Sequence, residues 1–231
     1  MIKAFTDKNF KDANAYLIYN EKNQGILIDT ANNSYKEIIS FCKKKRITLT
    51  DVFITHGHFA HFYGINEISK KLNVQNVYVS REDLTMLFDP HKNASTFFNS
   101  LNGAWSAKPL KNLKVIVEDC EWVINEYLLN IKIKSGHTSG SLIIEVPELK
   151  AIFNGDSLFL HHDVISVTNS PVEEQKILEN IKWIFQTYTK EHTFYPGHYD
   201  YGFTIEDVLE RDNYIKKKYI RLFNEIKKSN I

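Results

Sequence analysis

Apolar residues recur along this chain in two rhythms. Alternating or short continuous apolar runs fall at residues 2–5, 15–19, 26–29, 51–54, 77–79, 115–117, 128–133, 142–146, 151–154 and 193–195. Side chains of an extended strand point alternately to its two faces, so these runs predict strands. Apolar positions three and four apart predict helices over roughly 34–45, 62–72, 81–88, 173–187 and 205–228. In the last of these, Val208, Ile215, Tyr219, Leu222, Phe223 and Ile226 share one face opposite lysines, the pattern of a packed amphipathic helix. Residues 15–29 read as a hairpin with Gly25 closing its turn. Strands occur in blocks as well as alternating with helices, which suits two mixed sheets packed together with helices outside better than a doubly wound parallel sheet. No repeat or Pro/Gly/Ser linker interrupts the chain, so residues 1–231 are expected to form one domain. The least regular stretch, residues 89–114, carries Phe97, Phe98, Leu101, Trp105 and Pro109. It reads either as a cover over a substrate channel or as a cap on the core.

Composition narrows the class. Hydrophobic residues make up 43% of the 231 and aromatics 13%, enough for a sizeable core. Twenty-nine Lys and Arg balance 28 Asp and Glu, so no general basic field exists to grip nucleic acid. Lys43, Lys44, Lys45 and Arg46 close a predicted helix, where cations suit the helix dipole, and read as a solvated helix end. The two cysteines, Cys42 and Cys120, indicate no disulfide framework and favour a reducing compartment; Cys42 lies on an apolar helix face. The opening residues turn charged at once, unlike a signal peptide, and no apolar run approaches the ~20 residues that cross a bilayer. The expectation is a soluble cytoplasmic protein without nucleic-acid or membrane partners.

The chemistry lies at predicted strand ends. Residues 55–61 read Thr-His-Gly-His-Phe-Ala-His, directly after the apolar run 51–54. Three histidines within six residues make little sense as packing and good sense as metal ligands. Further along, His137 stands in Gly-His-Thr-Ser-Gly-Ser, Asp156 in Phe-Asn-Gly-Asp-Ser, and His198 in Tyr-Pro-Gly-His. Each follows a predicted strand and has a glycine nearby, which permits close backbone approach. Ligands from several strand ends, far apart in sequence, are how layered α/β folds build a site.

With these motifs the chain resembles the metallo-β-lactamase superfamily, whose signature is HxHxDH followed by single His, Asp and His ligands. The resemblance covers nearly the whole chain. It is strongest toward the glyoxalase II and small thioesterase branch, to which residues 87–95 are similar. It implies an αββα sandwich, with His56, His58 and His137 on a first metal, His61 and His198 on a second, and Asp156 bridging the two. Zinc is the expected ion, one or two per chain, with iron or manganese compatible with mixed nitrogen and oxygen ligands. A divalent ion lowers the pKa of bound water to about 7, which implies hydrolysis of an activated acyl bond, thioester or lactone in type, in a small-molecule substrate.

One position departs from the signature. Ala60 stands where the motif has its aspartate, and an alanine methyl neither coordinates metal nor accepts a hydrogen bond. Losing that carboxylate leaves the second site one negative charge short, and in the family the aspartate also helps orient the attacking water. Two readings stand: an introduced substitution that impairs a hydrolase, or a natural mark of a mononuclear or non-catalytic relative that binds or senses. In glyoxalase II-like enzymes the segment after the bridging aspartate usually runs through a Gly-Arg pair; residues 157–163 here contain no arginine. His161 and His162 read as surface loop residues or as pocket contacts. Tyr199 and Tyr201 read as packing or as hydrogen-bond donors to an oxyanion. Asp29 is a candidate acceptor for a metal-bound histidine.

Overall fold

Within β2 (Ala13–Tyr19) and β3 (Gln24–Ile28), neighbouring side chains belong to different apolar layers. Leu17 and Leu27 pack beneath α1 (Tyr35–Lys45) and α3 (Ile65–Leu72), against Ile38, Cys42, Ile65 and Ile68. Tyr16, Ile18, Ile26 and Ile28 face the other way and meet Leu129, Ile131, Leu142, Ile144 and Phe153 of a second sheet. The far face of that sheet offers Ile143, Ile152 and Phe194 to Ile177, Ile181 and Ile184 of α4 (Pro171–Thr187) and to Val208 of α5 (Ile205–Glu210). Period-two alternation thus builds helix, sheet, sheet and helix layers, the expected αββα sandwich. The computed structural model describes residues 1–97, 104–165, 171–210 and Asn224.

The first sheet runs β1 (Ile2–Asp7), β2, β3, β4 (Thr48–Phe53), β5 (Asn76–Ser80) and β6 (Leu113–Ile116), antiparallel to β3 and parallel beyond it. The second runs β11 (Thr193–Pro196), β10 (Ala151–Gly155), β9 (Leu142–Val146), β8 (Tyr127–Ile133) and β7 (Cys120–Ile124). Only β10 and β11 are parallel in it.

Four local expectations change. Gly25 lies in β3, paired with Tyr19, and does not close the hairpin. The turn belongs to Asn20, whose Oδ1 accepts from the Lys22 and Gln24 amides, and to Asn23 at φ 56°. The helix over 62–72 is two pieces, α2 (Phe59–Phe62) and α3. Between them the Gly64 amide donates to the Thr30 hydroxyl, and Tyr35 occupies the space where a side chain at position 64 would sit. In place of a helix over 81–88 there is a 3-10 turn, Leu84–Phe88, because the Asp83 side chain is drawn inward to two other loops. Strand β7 was not expected: its inward Cys120, Trp122 and Ile124 alternate with Glu121 and the exposed Val123, and the acidic residues mask the run. Of the helix over 205–228, α5 is seen to Glu210; the stripe from Ile215 to Ile226 lies outside the described residues, as do Phe98 and Leu101. Cys42 is fully buried, and neither cysteine is bonded to another. No helix among the described residues is long and apolar enough to cross a membrane.

Candidate metal centre

The C-terminal ends of β3, β4, β10 and β11 open onto one edge of the sandwich. Asp29 follows β3; His56, His58, Ala60 and His61 follow β4; Asp156 follows β10; and His198 follows β11. His137 joins them from the β8–β9 connection. Asp156 lies at the middle of the cluster. Its Oδ2 is 3.5 Å from His137 Nε2, 3.7 Å from His198 Nε2 and 3.9 Å from His56 Nε2, while its Oδ1 is 3.7 Å from His61 Nε2. His58 presents Nδ1, 2.8 Å from His137 Nε2. Two sets of three ligand atoms lie within 4.8 Å of one another: His56, His58 and His137, and His56, His61 and Asp156. The five histidines and the aspartate expected from the motifs are therefore brought together.

The ring nitrogens of His56, His61, His137 and His198 that face away from Asp156 are each engaged. His61 Nδ1 donates to Asp29 Oδ2 at 2.9 Å, His198 Nδ1 to the Lys11 carbonyl at 2.9 Å, and His137 Nδ1 to the Ile165 carbonyl at 2.6 Å. Thr55 Oγ1 donates to Asp29 Oδ2 at 2.7 Å, which leaves its lone pairs to accept from His56 Nδ1 at 3.2 Å. These contacts select the tautomer that carries the lone pair on Nε2, the nitrogen facing Asp156. Asp29 thus serves two imidazoles, directly for His61 and through Thr55 for His56.

A cation fits the donors that remain. His56 Nε2, His61 Nε2 and Asp156 Oδ1 are buried with no hydrogen-bond partner, and His58 turns Nδ1 toward them. Buried polar atoms are almost always satisfied, and several orphans aimed at one another are expected where an ion binds. Burial, reinforced by the neighbouring imidazoles, holds His56 and His58 well below the ordinary histidine value, and burial lowers His198 too. Neutral imidazoles are the form that coordinates metal. Burial also opposes charge on His61, but Asp156 and Asp29 outweigh it and raise its pKa. At Asp156 burial is outweighed by His198, His61 and the other imidazoles, which hold its carboxyl low.

Residues outside the motifs fix the loops. Asp83, buried in the turn after β5, accepts from the Gly57 amide (2.8 Å), the Gly140 amide (2.9 Å) and the Thr138 hydroxyl (2.6 Å), tying the His56–His58 loop to the His137 loop. Asn14 and Tyr16 of β2 donate to the Pro196 carbonyl, and Asn14 also to that of Tyr199. Nothing in the local sequence around Asp83 or Asn14 marks these roles, since the partners lie tens of residues away. Gly197 is required by contact: a Cβ there would meet Asp156 Oδ1 and the His61 ring.

A cavity of about 240 Å³ opens beside the cluster, with His58, His137, Asp156 and His198 in its wall. The buried methyl of Ala60 lines it as well. The described parts of segment 89–114 border the cavity and cap the core. Ala94 and Phe97 line the cavity, while Trp105 packs on Phe62 and Tyr63 with ring centres 5.3 and 4.8 Å apart. Tyr199 lines the cavity and stacks on His162 at 3.7 Å. His161 lies 3.6 Å from Asp200 through Nε2, and Tyr201 packs on Tyr16. Neither His161 nor His162 joins the metal-capable sets.

Comparison with known proteins agrees with this architecture. Residues 9–231 match the family model of the metallo-beta-lactamase superfamily. The probable metallo-hydrolase YqgX of Bacillus subtilis is 29% identical over 147 residues, 64% of this chain and 66% of that protein. A probable metallo-hydrolase of Streptococcus pyogenes serotype M6 is 24% identical over 192 residues, 80% of this chain and 78% of the relative. Among solved structures, the BLEG-1 B3 metallo-beta-lactamase superposes with a TM-score of 0.80 at 20% identity, over 93% of this chain and 99% of its own. TTHA1623 in a di-iron-bound form gives 0.73 at 20% identity, over 92% and 98%. The family match spans nearly the entire chain, and the chain belongs to the metallo-beta-lactamase superfamily.

Proposed function

We propose that this chain is a metal-dependent hydrolase of an activated acyl bond, thioester or lactone in type, with a small-molecule substrate. The observation that carries the reading is the pair of buried, unpartnered nitrogens of His56 and His61 beside the unpartnered Asp156 Oδ1, next to an open cavity. The two relatives named probable metallo-hydrolases support it. His56, His58 and His137 would hold one ion, His61 and His198 a second, and Asp156 both. Zinc suits this donor set, and iron and manganese remain compatible with it; the di-iron form of a similar structure supports keeping iron in view. A bound divalent ion supplies Lewis acidity and a water of lowered pKa.

The chain's own part is to hold and orient. Asp29, Thr55 and the carbonyls of Lys11 and Ile165 lock His56, His61, His137 and His198 in one tautomer before any ion arrives. The apolar wall around Phe59 and Phe159 limits water beside the reacting carbonyl. Within the superfamily, the glyoxalase II and small thioesterase branch is the proposed placement, without its glutathione specificity, since residues 157–163, directly after Asp156, contain no arginine.

Ala60 favours a second reading. With an apolar methyl in place of the motif's carboxylate, the second ion would bind weakly, and the chain would act as a mononuclear or non-catalytic metal-binding relative. Metal content per chain, measured side by side for this protein and for Ala60→Asp, separates the two. One ion here and two in the variant, with hydrolysis raised by orders of magnitude, supports an impaired dinuclear hydrolase. One ion in both, with Ala60→Asp inert on thioesters and lactones, overturns it.

A further inference from the structure

Apolar side chains from separate segments wall the cavity together with the histidines: Phe10 before β2, Phe59 and Ala60 of α2, Phe97, Phe159 and Ile165. Phe97 is 69% exposed and Ile165 63%, although both are large and apolar. Exposed apolar residues scattered singly need no explanation, but two lining the same opening onto a polar centre mark a surface kept for a ligand. Ile165 is also tied to the centre itself, because its carbonyl anchors His137 Nδ1.

Charge and size narrow the ligand. A carboxylate on the acyl group would be buried against Phe59, Ala60 and Phe97, and taking a charge out of water against apolar side chains is costly. Among the described lining residues, Lys11 is the one lysine or arginine, and it is exposed. A volume of about 240 Å³ falls below the roughly 300–1,000 Å³ of sites that enclose a drug-sized molecule. It suits an acyl group of a few carbons, with a bulky leaving group extending through its open side.

We propose that the site selects acyl donors by a short, uncharged, apolar acyl group lodged against Phe59, Ala60, Phe97 and Ile165, with the leaving group outside. This specificity rests on the acyl-hydrolase reading, and its test separates the two. Isothermal titration calorimetry would follow binding of non-hydrolysable ketone analogues, in which a methylene replaces the thioester sulfur. Their acyl parts would be acetyl, butanoyl, hexanoyl and succinyl, titrated into the full chain loaded with zinc and again without metal. Hydrolysis of the matching thioesters would be measured in parallel.

Affinity should rise about three- to fourfold for each methylene from acetyl to butanoyl, the factor matching about 0.8 kcal/mol per buried CH₂. It should level off once the cavity is filled, and the succinyl analogue should bind far more weakly than the butanoyl one. Phe97→Ala and Ile165→Ala should each flatten the series while leaving the melting temperature unchanged, since both side chains are exposed. A series flat from the start, or succinyl binding tightest, overturns the proposed specificity. Graded binding with no hydrolysis of any thioester by this protein or by Ala60→Asp upholds the acyl pocket and sinks the hydrolase reading; hydrolysis without gradation does the reverse.

Discussion

His61 donates its Nδ1 hydrogen to Asp29 Oδ2 across 2.9 Å, with both side chains buried. The same carboxylate accepts from the Thr55 amide and hydroxyl, so one residue at the end of β3 orients the loop that follows β4. Asp29 lies at φ 60°, a left-handed conformation that asparagine also tolerates. Asp29→Asn should therefore fold, while its neutral amide is a poorer acceptor for two imidazoles. Metal affinity should fall about 10- to 100-fold, the usual effect of removing a partner behind a ligand. Competition against a chromophoric chelator reads it directly, and unchanged affinity would dismiss Asp29 as a positioning residue.

Asp83 joins two ligand-bearing loops through three buried donors. Asp83→Ala leaves the Gly57 and Gly140 amides without their partner, at about 1–3 kcal/mol for each buried orphan. The urea midpoint of the metal-free protein should drop accordingly, with the slope of the transition unchanged. A midpoint within error of the parent would show that other groups satisfy these amides.

Gly197 has no positive φ, so alanine is compatible with its backbone; the obstacle is contact with Asp156 and His61. Gly197→Ala should lower metal occupancy by tenfold or more, roughly the scale of displacing a ligand's support. Elemental analysis after dialysis measures this. Full occupancy would mean that the two ligands shift aside without loss.

Burial pushes the Cys42 thiol up from 9.0 to about 11. At pH 8 it should be inert to thiol reagents in the folded protein and react only after unfolding, because the thiolate is the reactive form. The folded value is raised, so the associated stability is complete below about pH 9 and is lost as pH rises through about 11. Alkaline unfolding of the parent against Cys42→Ala should show this difference above pH 9 only. Rapid labelling at pH 8 would contradict it.

Much of the architecture was legible because it depends on local periodicity. The alternation of Tyr16, Leu17 and Ile18 assigns each side chain to a sheet face, and tertiary packing keeps that assignment. Turns and helix breaks were less legible, since they depend on partners distant in sequence. Gly64 ends a helix because Tyr35 and Thr30 stand beside it, and Gly25 serves β3 because Leu17 and the Ile47 side chain need its space.

The candidate ligands His56, His58, His61, His137, Asp156 and His198 could be picked out from sequence because coordination demands particular side chains at strand exits, and those are visible one residue at a time. That Ala60 stands where the family signature has an aspartate is visible in the same way. Which nitrogen of each ring faces Asp156, that Asp29 and Asp83 hold the loops, and that Phe97 and Ile165 border one cavity were decided only by the tertiary structure. Those are relationships among groups distant along the chain, set by how two sheets pack and where their ends meet, and no local pattern of residues encodes them.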